Sequence, residues 1–322
     1  MSLTLSDILN FRKIESPVFI VGAPRSGTSL LYRILQHHSS FKLQHYQKSS
    51  KVELTESLIF QYPYKILGSE QLDYMLNNKE KYNEFLNSTE WIRKYQNTVL
   101  AQKIVPKILA KSNSSLIKEI VWQLTMTHFL VATFFYYAKQ ARNVKRIIEK
   151  TPQSIFMLPE IKKTFPQAKL LFIYRHPIDV FSSYKKRFKI TQQLNNSQSS
   201  LGWLKITKEK FCEDYELSIN LALQEKNKNS QQFMMVAYES LVEYPQKTIT
   251  EICDFINESF EEQCLVQNQS DSINWKVDPD LFGTINKRTK NWTEFIDERD
   301  GQFIENRLNT IMKLLNYNKY TN

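Results

Sequence analysis

Donor groups suited to an anion are concentrated in one short segment near the start of the chain, PVFIVGAPRSGTSLL, at residues 17–31. Its first residues form an apolar run typical of a buried strand, and residues 26–35 have the spacing of an amphipathic helix. The loop between them therefore brings free backbone N–H groups and the positive end of a helix dipole to one point. One guanidinium and three hydroxyls stand in the same loop, so the pattern predicts a site for a phosphate-like group. The loop residues assigned to this site are Arg25, Ser26, Gly27, Thr28 and Ser29.

The loop differs from the phosphate loop of nucleoside triphosphatases at one position. Gly22 and Gly27 are spaced as in G-x-x-x-x-G-K-[ST], and Ser29 stands at the final hydroxyl position. Thr28, however, occupies the position of the lysine that contacts the β- and γ-phosphates. A small-molecule kinase that uses ATP is therefore a less favoured alternative. The loop alone would also fit an ordinary turn between a strand and a helix.

A second cation and hydroxyl follow the apolar run at residues 168–174, in the segment RHPIDVFSS. Pro177 fits the first turn of a helix, where its missing N–H costs nothing. Arg175 at the end of the strand and Ser183 two turns into the helix can both face the crevice beyond the strand ends. A guanidinium and a hydroxyl suit a phosphate monoester. The alternative interpretation is an arginine paired locally with Asp179.

Together the two segments resemble the 5′- and 3′-phosphate motifs of sulfotransferases, K/R-S/T-G-T-[ST] and R-x-P-x-D-x-x-x-S. The resemblance implies that the co-substrate is 3′-phosphoadenosine 5′-phosphosulfate (PAPS), with Arg25 at the 5′-phosphosulfate and Arg175 and Ser183 at the 3′-phosphate. The reaction implied is in-line transfer of the sulfuryl group to a hydroxyl of a small-molecule or carbohydrate acceptor. Its second product is adenosine 3′,5′-bisphosphate (PAP), and no metal is required.

Three further segments resemble the family, and more closely its heparan sulfate and protein-tyrosine members than its cytosolic ones. The segment at 149–152 is similar to E-K-[ST]-P, in which the lysine, here Lys150, points at the sulfuryl group. The segment at 238–241 is similar to Y-E-D-L, whose tyrosine, here Tyr238, lies near the adenine. In the family a loop rich in lysine and arginine closes over the 3′-phosphate, and a basic loop stands at the corresponding place here. Each of its three cations is a candidate for that contact. They are Lys287, Arg288 and Lys290.

The base that accepts the acceptor proton is left open among four residues. In the heparan sulfate and protein-tyrosine sulfotransferases it is a glutamate after the first helix, which implies Glu53 here, with Glu56 as a rival. His45 lacks the K-x-H setting of the cytosolic enzymes. Glu149 is a further candidate, although we expect the neighbouring Lys150 to lower its pKa and weaken it as a base.

The distribution of apolar runs predicts an α/β fold. Strand candidates at 17–22, 145–149, 168–174 and 232–238 are separated by helical patterns, which indicates a P-loop-like three-layer fold with a central parallel sheet flanked by helices. Since no linker or repeat interrupts the sequence, residues 1–322 are expected to form a single domain. Residues 40–145 match no motif, and we expect them to be a helical insertion on the acceptor side.

Charge and composition limit the partners. The net charge of +10 favours an anionic ligand, and a non-catalytic nucleotide- or RNA-binding module is the alternative of a different class. The basic residues are dispersed, except for clusters at 185–187 and 287–290 beside the proposed nucleotide site, so no nucleic acid is expected. The three cysteines have neither metal-site nor disulfide spacing. Without a signal peptide or an apolar stretch long enough for a bilayer, a cytoplasmic enzyme with no membrane span is expected.

Overall fold

The structure is a computed structural model that describes residues 4–42, 56–63, 80, 83–85, 116–117, 127–193, 202–267, 283–285 and 292–321. Several of the residues predicted above to act in the site lie outside the described residues. These are His45, Glu53, Lys287, Arg288 and Lys290.

A four-stranded parallel sheet forms the centre of the fold. Its strands are β1 (Val18–Gly22), β2 (Ile148–Lys150), β3 (Lys169–Tyr174) and β4 (Phe233–Ala237), and their order across the sheet is β2-β1-β3-β4. Strands β1 and β3, at its centre, are buried apolar runs, as expected of a parallel sheet covered on both faces. The predicted α/β fold is therefore confirmed, although β2 is shorter than predicted and extends one residue further, to Lys150.

Helices flank both faces of this sheet. Their bounds are α1 (Leu5–Ile14), α2 (Thr28–Gln36), α3 (Thr127–Arg142), α4 (Leu158–Thr164), α5 (Pro177–Gln193), α6 (Lys208–Lys228), α7 (Tyr238–Glu243), α8 (Pro245–Ile256), α9 (Glu298–Arg307) and α10 (Asn309–Leu314). Short 3₁₀ turns cover Pro152–Met157, Gly202–Leu204, Glu262–Leu265 and Trp292–Glu294, and a small antiparallel pair joins β5 (Val266–Gln267) to β6 (Gly283–Thr284).

Alternate side chains of β1 point into two separate cores. Phe19 and Val21 pack with α1, α3 and α4, whereas Val18 and Ile20 pack with α2 and α8. This alternation follows from the two-residue period of a strand. None of the helices in the described part of the chain combines the length and apolar character needed to cross a membrane.

The strand order creates a crevice where the site residues meet. From β1 the chain passes to its neighbour β2 on one side and then to β3 on the other side. In such open parallel sheets, ligands bind beyond the carboxyl ends of the strands at the point where the direction of winding changes. The loops after β1 and β3 therefore face each other across this crevice.

Candidate active site

The loop after β1 contains two residues with left-handed backbone conformations. Arg25 has a φ of +72° and Gly27 a φ of +108°, both in the left-handed region. Helix α2 begins at Thr28, with Gly27 at its N-cap position and no side-chain cap. The N-terminal N–H groups of α2 thus have no capping side chain to occupy them, as expected of an anion-binding turn.

The Ser26 hydroxyl bonds to the backbone of the protein, whereas the sequence predicted that it would contact the ligand. Its hydroxyl lies 2.7 Å from the carbonyl oxygen of Ala23 and 2.9 Å from that of Ile173, and the residue is fully buried. Because Ile173 belongs to β3, this hydroxyl ties the loop to the neighbouring strand. It is therefore not directed at the cavity.

Gly27 is required by the close approach of Tyr238. A Cβ atom at position 27 would lie 2.5 Å from Cδ2 of the Tyr238 ring and 3.3 Å from Cδ1 of Ile173. Both distances are shorter than ordinary van der Waals contacts. The loop after β1 and the start of α7 therefore fit together only with glycine at this position.

Arg175 occupies the position predicted from the second motif. Its Nη2 atom lies 3.4 Å from Oδ2 of Asp179, so the local pairing considered above does occur. Its Cζ atom also lies 4.3 Å from the centroid of the Tyr238 ring, a cation–π contact. The residue is only 5% exposed, and its Nε has no hydrogen-bond partner among the described residues.

The two predicted motifs are in direct contact. Nε of Arg25 donates to Oγ of Ser183, at 3.2 Å, across 158 positions of the sequence. Arg175 and Ser183 line the same cavity, as predicted from their position after β3 and on α5. The contact places both arginines and the hydroxyl around one space.

That space is a cavity of about 340 Å³, within the range of roughly 300–1,000 Å³ typical of small-molecule sites. Its wall includes residues assigned to the site from the sequence and residues that were not assigned to it. The predicted residues are Arg25, Gly27, Thr28, Ser29, Glu56, Arg175, Ser183 and Tyr238. The additional residues are Pro24, Leu30, Leu58, Pro152, Gln153 and Trp203.

Lys150 is buried at the end of β2 and pairs with Glu56. Nζ lies 2.7 Å from Oε1 of Glu56, whose side chain is more than half exposed. The N–H of Glu56 also donates to the carbonyl oxygen of Lys150. The ammonium, with weaker contributions from Arg25 and Arg187, lowers the pKa of Glu56 below its ordinary value.

Lys150 lowers the pKa of Glu149 as predicted, but the expectation of a lowered pKa overall is wrong, because burial raises it by more. Glu149 is fully buried and its pKa is raised to about 7. Its Oε1 accepts from the hydroxyls of Ser57, at 2.8 Å, and Thr151. Oε2 has no hydrogen-bond partner among the described residues. Glu149 does not line the cavity, so its position favours holding the segment at 56–58 over acting as a base.

For some of the residues that line the cavity, the sequence provided little indication of that position. Trp203 lies in a 3₁₀ turn after α5 and is half exposed, and its ring packs edge-on against Tyr184. Gln153 could have been found, since it directly follows the segment at 149–152. Trp203 and Leu58 stand in no motif, and only the fold brings them to the site. Among the described residues, no group of three or more His, Cys, Asp or Glu side chains could hold a metal ion.

Comparison with known proteins agrees with this geometry. The model of the sulfotransferase family matches residues 17–262, and the chain belongs to that family of enzymes. Sulfotransferases of this family use PAPS. No curated protein sequence matches the chain.

Two solved sulfotransferase structures share the fold, and a third structure has a weaker likeness. The sulfotransferase domain from the curacin biosynthetic pathway is 16% identical with a TM-score of 0.52, over 95% of this chain and 99% of that one. Sulfotransferase STF9 from Mycobacterium avium is 12% identical with a TM-score of 0.51, over 99% of this chain and 81% of that one. A retinol dehydratase solved with retinol and PAP is 15% identical with a TM-score of 0.46, over 96% of this chain and 85% of that one.

Proposed function

We propose that this enzyme binds PAPS in the cavity between the loops after β1 and β3 and transfers its sulfuryl group to a hydroxyl acceptor. The observation that carries the proposal is the hydrogen bond between Arg25 and Ser183, because it joins the two phosphate motifs around one cavity. The site also fits a doubly phosphorylated ligand chemically. It combines two arginines, hydroxyls and the N-terminus of α2.

Each end of the donor has a proposed set of partners. The 5′-phosphosulfate lies at the start of α2, where Arg25, Thr28 and Ser29 line the cavity. The 3′-phosphate lies at Arg175 and Ser183, and the Nε of Arg175 is a buried donor without a partner among the described residues. Tyr238 lies between the two sets and is the proposed neighbour of the adenine. From the resemblance, Lys287, Arg288 and Lys290 are proposed to close over the 3′-phosphate.

In the transfer, an acceptor oxygen attacks the sulfur while the bond from sulfur to the 5′-phosphate oxygen breaks. The leaving phosphate gains negative charge, which Arg25 and the N-terminus of α2 stabilise. Lys150 lies at the end of β2, and the E-K-[ST]-P resemblance places its ammonium at the sulfuryl group. For that role it must exchange its contact with Glu56 for one with the donor.

The acceptor proton goes to a carboxylate on the acceptor side. We propose Glu53 as the base, because it stands where the resembled heparan sulfate and protein-tyrosine enzymes carry this glutamate, whereas Glu56 is the partner of Lys150 in the structure. The Glu53→Gln variant should lose turnover and retain affinity for PAP, and Glu56→Gln should retain most of its turnover. Full activity of Glu53→Gln would remove that residue as the base.

The acceptor is proposed to be a small molecule or a sugar with a free hydroxyl. The cavity wall includes apolar groups, from Leu58, Pro152 and Trp203, beside the polar side chains of Glu56 and Gln153, whereas Lys150 does not itself line the cavity. Residues 40–145 are proposed to complete this wall as part of a single domain.

A binding experiment tests the donor assignment. Thermal unfolding is measured with PAP, ADP, and ATP with and without magnesium. A ligand at ~100 times its dissociation constant should add about 2.7 kcal/mol of stability. Stabilisation by PAP above that by ADP is the expected result. Stabilisation by magnesium-ATP and not by PAP would instead identify a kinase. Salt-sensitive binding of RNA without preference for PAP would identify a nucleic-acid-binding module.

A further inference from the structure

We propose that the segment Tyr317–Thr321 packs behind the proposed 3′-phosphate site and holds Arg175 in position. In this proposal Tyr320 is a positioning residue that acts on Arg175 through His176 and Asp179. This inference rests on the proposed function, since it concerns the same site. It adds a part of the chain outside the segment matched by the family model.

Tyr320 contacts His176, which follows Arg175 in the sequence, and Asp179, which pairs with its guanidinium. Its ring stacks on the imidazole of His176, with centroids 3.7 Å apart and planes inclined by 7°. Its hydroxyl donates to Oδ2 of Asp179 at 3.4 Å, and the same oxygen lies 3.4 Å from Nη2 of Arg175. Tyr320 therefore restricts both the backbone next to Arg175 and the carboxylate that orients its guanidinium.

Further hydrogen bonds attach the segment to the loop after β3. One ring nitrogen of His176, Nε2, lies 2.9 Å from the carbonyl oxygen of Asn318. Glu239 bridges the two parts, because it accepts from the backbone N–H of His176 at 2.9 Å and from the hydroxyl of Tyr317 at 2.7 Å. Burial lowers the pKa of His176, which favours the neutral imidazole that this packing requires.

The segment is itself held by a buried carboxylate. Glu305, on α9, is fully buried and accepts from the backbone N–H of Tyr320, at 2.5 Å, and that of Thr321, at 3.1 Å. The hydroxyl of Thr321 donates to the same carboxylate. A charged acceptor gives comparatively strong hydrogen bonds, so the position of Tyr320 is well defined.

The physical effect is to reduce the freedom that Arg175 must lose when it binds a phosphate. The guanidinium has Tyr238 against one face and Asp179 beside its Nη2. The hydrogen bond from Tyr320 is long, at 3.4 Å, and it favours the present position of Asp179 and offsets part of the negative charge that faces Arg175. Both effects favour the 3′-phosphate, and neither acts at the 5′ end of the donor.

The test compares the affinities of PAP and adenosine 5′-monophosphate, whose ratio reports the contribution of the 3′-phosphate. For Tyr320→Ala we expect this ratio to fall by roughly 10-fold, with the affinity for the monophosphate unchanged. Tyr320→Phe keeps the stack and loses the hydroxyl, so we expect a fall of about 3-fold. Lys319→Ala is the matched control, because Lys319 contacts Asn306 and neither His176 nor Asp179.

The outcomes are distinguishable. A folded Tyr320→Phe and a folded Tyr320→Ala variant with unchanged ratios would overturn the inference and leave the proposed function intact. An equal loss of affinity for both ligands would also overturn it, because it would indicate a general structural role. A wild-type protein that does not prefer PAP to the monophosphate would overturn the proposed function and the inference with it.

Discussion

Lys150 and Glu56 are joined twice, once through their side chains, with Nζ 2.7 Å from Oε1, and once through the backbone. The pair links the end of β2 to the segment at 56–58, which lines the cavity. Glu56 and Leu58 both have φ values near +50°, a conformation that costs roughly 1 kcal/mol or more in residues other than glycine. The double link helps to hold this strained segment in place.

The Lys150–Glu56 pair predicts a dependence of stability on acid. Because the folded state lowers the pKa of Glu56, the pair stabilises the protein above the ordinary value of 4.5 and loses that effect as the pH falls through the folded value. The difference in unfolding free energy between wild type and Glu56→Gln should therefore shrink as the pH falls from 6 to 3, measured by urea denaturation. The exposed glutamate Glu251 on α8 provides the control, Glu251→Gln. A constant difference over this range would show that Glu56 is not stabilised by Lys150.

Glu149 predicts a dependence of opposite sign. Its folded pKa is raised to about 7, so between 4.5 and 7 the folded protein holds a proton that the unfolded chain has released. Stability should therefore decrease as the pH rises through this range. Glu149→Gln removes this group, and its unfolding free energy should approach or exceed that of wild type as the pH rises toward 8. Parallel profiles for the two proteins would contradict a raised pKa.

The contact between Gly27 and Tyr238 predicts an intolerance of any side chain at position 27. Gly27→Ala should lower the free energy of unfolding by about 1–3 kcal/mol, through both the positive φ and the clash. It should also weaken PAP binding. Gly202→Ala is the control, since nothing lies within 4 Å of a Cβ at that position. Thermal unfolding and a PAP titration measure both effects, and equal behaviour of the two variants would argue against the close contact.

Ser183 is predicted to contribute to PAP affinity through the 3′-phosphate. Ser183→Ala removes a hydroxyl that lines the cavity and accepts from Arg25. We expect a loss of about 3- to 10-fold in affinity for PAP and a smaller loss for adenosine 5′-monophosphate. The adjacent buried serine on α5 gives a matched control, Ser182→Ala, because Ser182 does not line the cavity. Equal losses for the two ligands would place the 3′-phosphate elsewhere.

Arg175→Lys tests whether a planar guanidinium is needed. A lysine retains the charge and loses both the fork of donors and the stacking on Tyr238. We expect a loss of roughly 10-fold or more in PAP affinity, against little change for the monophosphate. Isothermal titration with both ligands provides the measurement. An unchanged affinity for PAP would remove Arg175 from the donor site.

The sequence was sufficient to predict the four strands and the loops after β1 and β3 that line the cavity. The apolar runs before Arg25 and Arg175 are long and uninterrupted, and Pro177 begins α5 as its fixed φ predicts. The contact between Arg25 and Ser183, however, depends on β1 and β3 being neighbours. Strand order is set by packing across the whole sheet, and neither segment encodes it.

The error at Glu149 has a similar origin. Lys150 is adjacent to Glu149 in sequence, so its effect on the pKa of Glu149 can be predicted from the sequence alone. The larger effect comes from the complete burial of Glu149, whose carboxylate meets Ser57 from 92 positions away in sequence. Ser26 shows the same limit, since its hydroxyl bonds to Ile173 on β3. Both interactions are long-range, and a local pattern does not reveal them.

The close packing of Gly27 against Tyr238 has a consequence for redesign of this enzyme. The two positions compete for one small volume, so neither can be enlarged alone. A smaller side chain at 238 would admit alanine at 27 and would at the same time remove the face on which the Arg175 guanidinium rests. Any redesign of this cavity must therefore change the loop after β1 and the start of α7 together, as a single compensating set of substitutions.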